Sequence, residues 1–139
     1  MSRIRIVLAA AGFALAGGCA VFPSAPTFAP TQKIDKLSGD RDVFGDGTVV
    51  IESTPGHTVG HQVLFVKLPK SGPVVLSGDL YHYPGERTLN RMPDREKTAG
   101  TPESRAKIES LVRGSGAQLW IGHDIQTFAK LKKSPEYYD

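Results

Sequence analysis

The sequence predicts an α+β domain built as one half of an αββα sandwich. Three observations carry that expectation. Short β-branched runs recur between Thr48 and Ile121, and the loops after them carry His57, Asp79 and His123. Gly, Pro and Asp-Gly signals punctuate these runs. Only one stretch of any length, opened by Thr101-Pro102, spaces its apolar residues for a helix. Strands with functional groups on the following loops, covered by one helix, are what half of such a sandwich requires.

The elements follow in order. Asp42-Val43-Phe44-Gly45-Asp46-Gly47 has the Asp-Gly signature of a tight hairpin turn. Thr48 to Ser53 alternates with β-branched residues and reads as a strand, which Pro55-Gly56 ends, leaving His57 on a loop at its tip. Gln62 to Leu68 is a second strand, Pro69 to Pro73 a turn, and Val74 to Ser77 a third, buried strand. The helix has Thr101 as its N-cap and Pro102 at its first position. Its apolar face is Ile108, Leu111 and Val112, and Gly114 or Gly116 stops it. Ala117 to Ile121 is the last strand, with His123 just beyond, and a short helix from Ile125 to Leu131 closes the chain. With Val49, Ile51, Val63, Phe65, Val74, Leu76, Leu119 and Ile121 on the strands and one long helix to cover them, part of the sheet is expected to stay exposed. Dimerisation through that face, or marginal folding, would follow.

The segment before the domain has a different character. Residues 1–18 read as an export leader, with Arg3 and Arg5 ahead of the apolar run Ile6 to Ala16. That run is shorter than the roughly 20 residues a membrane span needs. Leu15-Ala16-Gly17-Gly18-Cys19 resembles a bacterial lipoprotein cleavage box, which implies lipidation of Cys19. Ala20 after it implies export to the cell envelope, sorting to the outer membrane and a chain facing the periplasm. Cys19 is the single cysteine, so no internal disulfide forms. Residues 19–39, with Pro23, Pro26 and Pro30, read as a Pro/Ala-containing tether, and residues 40–139 as the folded domain. The net charge is +3, but without Arg3 and Arg5 only 15 basic side chains face 14 acidic ones. No basic stripe exists for nucleic acid, and Lys130-Leu131-Lys132-Lys133 reads as a solvated helix end.

Thr54-Pro55-Gly56-His57-Thr58-Val59-Gly60-His61, Ser77-Gly78-Asp79 and Ile121-Gly122-His123-Asp124 carry the chemistry. Together with the tail Ser134 to Asp139 they resemble the second half of a metallo-β-lactamase-fold hydrolase, in the branch of the N-acyl homoserine lactonases. The resemblance runs from about Asp42 to Asp139. It implies His57 as a histidine ligand of one metal ion, His123 of a second, and Asp79 as the bridging carboxylate, with zinc the expected cofactor. His61 is implied to be a supporting residue. Tyr81, His82 and Tyr83 follow Asp79 closely enough to reach a substrate carbonyl; in some lactonases a tyrosine three residues after the bridging aspartate binds the lactone, and here that position is His82. The implied catalytic set is Asp79, His82 and Tyr81. Asp124 could orient His123.

The family's other ligands come from an upstream His-x-His-x-Asp-His motif. The four histidines here are His57, His61, His82 and His123, so those ligands are not among these residues. Each ion would keep one histidine plus the shared Asp79, against the three protein ligands of a usual catalytic zinc. Three readings follow. One is a truncated metal-dependent lactone or ester hydrolase, inactive alone and completed by a separate N-terminal half. The second is a non-catalytic, membrane-tethered remnant or binding module. The third is a gene remnant without a stable product.

Overall fold

The computed structural model describes residues 35–139. The expected leader, Cys19 and the tether as far as residue 34 lie outside the described residues, while residues 35–40 run exposed towards the first strand. No helix among the described residues is long and apolar enough to cross a membrane.

One five-stranded sheet organises the domain, in the order β1 (Arg41–Asp42), β2 (Val49–Ser53), β3 (Gln62–Leu68), β4 (Gly72–Leu76) and β5 (Gln118–Trp120). Neighbours run antiparallel except β4 and β5, which pair in parallel with Val75 opposite Leu119. A parallel pair needs a crossover, and α2 (Thr101–Ser115) lies within it. Two short helices, α1 (Pro84–Thr88) and α3 (Ile125–Lys130), complete the fold.

Strand alternation divides the apolar side chains between the two faces of the sheet. Val63, Phe65 and Val75 meet Ile108, Val112, Leu80 and Tyr81 on the α2 side. Val66, Leu68, Val74 and Trp120 form the other cluster, against which Leu131 and Tyr138 pack. The Tyr138 ring meets Trp120 edge-on at 4.9 Å between centroids. Asp139 anchors this tail, its carbonyl accepting from the amides of Lys70 and Ser71 in the β3–β4 turn.

Several expectations need correction. The segment after β1 is not a two-residue Asp-Gly turn. It is a longer loop wound around Asp42, whose carboxylate accepts from the amides of Phe44, Gly45 and Gly47. β4 starts two residues earlier than expected and includes Pro73, so the preceding turn is correspondingly shorter. Gly100, not Thr101, is the N-cap of α2. Thr101 is buried and turns its hydroxyl to Glu96 instead. Gly116 ends the helix in the left-handed region, one of the two stops expected. The second face of the sheet is less open than a single covering helix implied: Val74 is fully buried there, because the C-terminal tail returns across it.

Candidate metal centre

The loop from Thr54 to His61 leaves β2 and is pinned at both ends. The amide of Thr54 donates to the His61 carbonyl, and the Thr54 side chain and carbonyl both meet His61 Nδ1. Ser104 of α2 donates to the Pro55 carbonyl at 2.7 Å. Gly56 lies so close to Thr101 that a side chain there would overlap it. The start of α2 is therefore the floor on which His57 stands.

Asp79 follows β4 in a tight turn at Gly78–Leu80. Its amide donates to His61 Nε2 at 3.1 Å, which requires an unprotonated Nε2 and puts the ring proton on Nδ1, facing Thr54. Burial holds the His61 imidazole below its ordinary pKa, which favours that neutral form. His61 thus supports the backbone of Asp79, in keeping with a supporting role.

The two oxygens of Asp79 serve different histidines. Oδ1 lies 2.9 Å from His123 Nε2 and Oδ2 lies 3.6 Å from His57 Nε2. The His82 ring stands beside both, with centroids 5.1 Å from His57 and 6.0 Å from His123. His123 is 65% exposed and Asp79 41%, so the group opens to solvent on that side. His57, Asp79, His82 and His123, four of the five residues expected at the site, meet here from three segments, Asp79 and His82 sharing the one after β4.

Tyr81 is the exception, and its expected catalytic placement needs correction. Residue 81 points into the core, 3% exposed, with its hydroxyl donating to Glu109 of α2 and the Arg105 guanidinium 4.4 Å from its ring centre. Successive residues of an extended segment face opposite ways, so the backbone that offers His82 to the site turns Tyr81 away. Burial and the Glu109 carboxylate push the Tyr81 phenol up to about 12. A freely solvated tyrosine ionises near 10. Between those values the unfolded chain has lost a proton that the folded one keeps, so stability should fall as pH rises above about 10. Urea unfolding across that range should show this slope in the wild type and its loss in Tyr81→Phe. An unchanged slope in the variant would mean that the hydroxyl is not held as described. Asp124 is likewise not an orienter of His123: its carboxylate accepts from the Thr127 amide and caps α3.

Three groups with no expected role complete the centre. Glu96 is 1% exposed and accepts from His57 Nδ1 at 3.1 Å. Glu86 takes the Nδ1 of His82 at 3.2 Å and its amide at 3.1 Å. Arg105 then clamps Glu86 at 2.8 Å and donates to the carbonyls of Leu80 and Arg91. A carboxylate on one ring nitrogen sets the tautomer and aims the other nitrogen, as behind many metal-bound histidines. Glu86 is four residues past His82, close enough in sequence for the pair to have been sought; Glu96, 39 residues from His57, left no local signal. One nitrogen each of His57 and His82 and one oxygen of Glu96 lie within 4.8 Å of one another, a group able to hold a metal ion.

No protein-family model matches the chain. It is similar to an N-acyl homoserine lactonase, AttM, of Azorhizobium caulinodans, at 38% identity over 99 residues, which is 70% of this chain and 38% of that protein. AttM of Rhizobium johnstonii is 36% identical over 119 residues, covering 78% of this chain and 43% of that protein. A solved N-acyl homoserine lactone hydrolase, with the product N-hexanoyl-L-homoserine bound at its catalytic metal center, superposes with a TM-score of 0.58 at 28% identity. It is matched over 73% of this chain and 40% of its own. A quorum-quenching N-acyl homoserine lactone hydrolase gives a TM-score of 0.61 at 27% identity, over 73% of this chain and 41% of its own. The chain thus spans about two fifths of the length of the relatives it matches.

Proposed function

Starting from a chain whose homologues are N-acyl homoserine lactonases of the metallo-β-lactamase fold, matched over their C-terminal portion, we propose that it is the C-terminal half-site of a metal-dependent lactone or ester hydrolase. The observation that carries this reading is the divided carboxylate of Asp79, with one oxygen towards His57 and the other towards His123. A group that bridges two ions needs that arrangement. Imidazole and carboxylate donors suit zinc, which when bound lowers the pKa of a water so that hydroxide forms near neutral pH.

This chain's residues then have separate tasks. His57 and His123 would each offer Nε2 to one ion, and Asp79 would join the two. Glu96 holds the Nδ1 proton of His57 and so keeps Nε2 as the donating nitrogen. His61 fixes the backbone from which Asp79 projects. The remaining donors have to come from outside these 139 residues, since no His-x-His-x-Asp-His segment is among them. The substrate class is a lactone or ester. The proposed location is the outer membrane, facing the periplasm and anchored through Cys19.

The test is complementation. The full chain with zinc should not open N-hexanoyl homoserine lactone alone. It should do so once mixed with a separately produced N-terminal half of a lactonase relative, and Asp79→Asn should abolish that turnover. No turnover in the mixture would favour the second reading, a tethered binding module, which two protein donors per ion also suit. Turnover by Asp79→Asn equal to that of the wild type would sink the half-site reading.

A further inference from the structure

The half-site reading gives His82 no task and treats Glu96 only as a hydrogen-bond partner. Both are built more elaborately than that requires. Glu96 is a buried carboxylate with little to balance its charge: Thr101 at 3.4 Å, His57 at 3.1 Å, and Arg95 Nε at 3.9 Å on a side chain 72% exposed. Glu86, buried to a similar degree, has the buried Arg105 guanidinium at 2.8 Å. A buried anion without a buried cation is costly, and Glu96 is the one of the pair left in that state. It faces two imidazoles.

His82 is aimed with equal care. Glu86 engages its Nδ1 and its amide, Arg105 holds Glu86, and Nε2 is the ring nitrogen left free. Its ring meets His57 edge-on at 5.1 Å. One donor atom each from His57, His82 and Glu96 already lie within 4.8 Å of one another. Donors to one zinc, each about 2.0–2.2 Å from it, stand roughly 3–4 Å apart, so small side-chain rotations would bring the three together.

We propose that His57, His82 and Glu96 form a single-ion site for a divalent metal that this chain builds from its own residues. Two imidazoles and one carboxylate, with positions left open to water or ligand, make a ligand set used by hydrolytic zinc and by ferrous iron. The site is an alternative to the two-ion reading at His57, with Glu96 bound to the ion rather than to the His57 Nδ1 proton, and it needs neither Asp79, His123 nor donors from outside the chain. Glu86 is its positioning residue.

Metal-stripped full chain, dialysed against zinc and assayed by elemental analysis, should bind one ion. Cobalt(II) as a probe should give the visible d–d bands of a site with nitrogen and oxygen donors. His82→Asn and Glu96→Gln should each weaken zinc at least about tenfold and change the cobalt bands, while His123→Gln keeps one ion. Circular dichroism of each variant, with His82→Phe as a second ring-sized replacement, separates loss of ligand from loss of fold. Wild-type zinc affinity in folded His82→Asn and Glu96→Gln would overturn the site. Loss of the ion in His123→Gln, as complete as in His82→Asn, would do so too. Failure of lactone turnover in the mixture leaves these readouts untouched, so the two readings fail separately.

Discussion

Replacing Arg105 by alanine is expected to cost about 3–5 kcal/mol, because it leaves the buried carboxylate of Glu86 without its cation. A domain of this size has only about 5–15 kcal/mol of stability to lose. The guanidinium does three things at once. It neutralises Glu86, donates to the Leu80 carbonyl after the Asp79 turn, and reaches the Arg91 carbonyl beyond α1. α2 thereby holds the whole segment that carries Asp79 and His82. Urea denaturation of the full chain measures the effect, and a loss below about 1 kcal/mol would show that the network is not maintained. Arg105→Lys should rescue little, since one ammonium cannot reproduce a planar fork spread over three acceptors.

Gly56→Ala is the second large effect expected, at about 1–3 kcal/mol or more. A Cβ at Gly56 would overlap the Thr101 hydroxyl and come within 2.8 Å of the Thr101 backbone nitrogen and Cα. Gly56 also has φ +153°, a backbone region that side-chain-bearing residues rarely adopt. The loop has to lift off α2, which takes His57 away from both Glu96 and Asp79. Thermal unfolding should show a lower midpoint, and zinc binding should weaken along with it. Shrinking the neighbour, in Gly56→Ala with Thr101→Ala, should restore little, because the obstructing atoms include backbone. Full rescue by that pair would mean that only the hydroxyl was in the way.

Much of this protein was legible in local pattern. Strands near 49–53 and 62–68 and the helix ending at Gly116 follow from β-branched alternation, helical spacing and glycine. His57, Asp79 and His123 stood out through the loops and dipeptides around them, and the relatives are of the kind those motifs suggested. Periodicity and turn chemistry act over a few residues, so a sequence displays them directly.

Tertiary structure alone decided the rest. Tyr81 and His82 are adjacent, and nothing local says which one faces the site; packing of Tyr81 beneath Arg105 and against Glu109 settles it. Thr101 looked like a cap until burial beside Gly56 gave its hydroxyl to Glu96. The tail of Leu131 and Tyr138 covers a sheet face that a count of helices left bare. Glu96 and Arg105 had no motif at all, because their partners lie 39 residues from the one and 19 from the other. A buried charge is positioned by whatever long-range fold brings its counter-charge or ligand to it, and that distance is set by packing rather than by spacing along the chain.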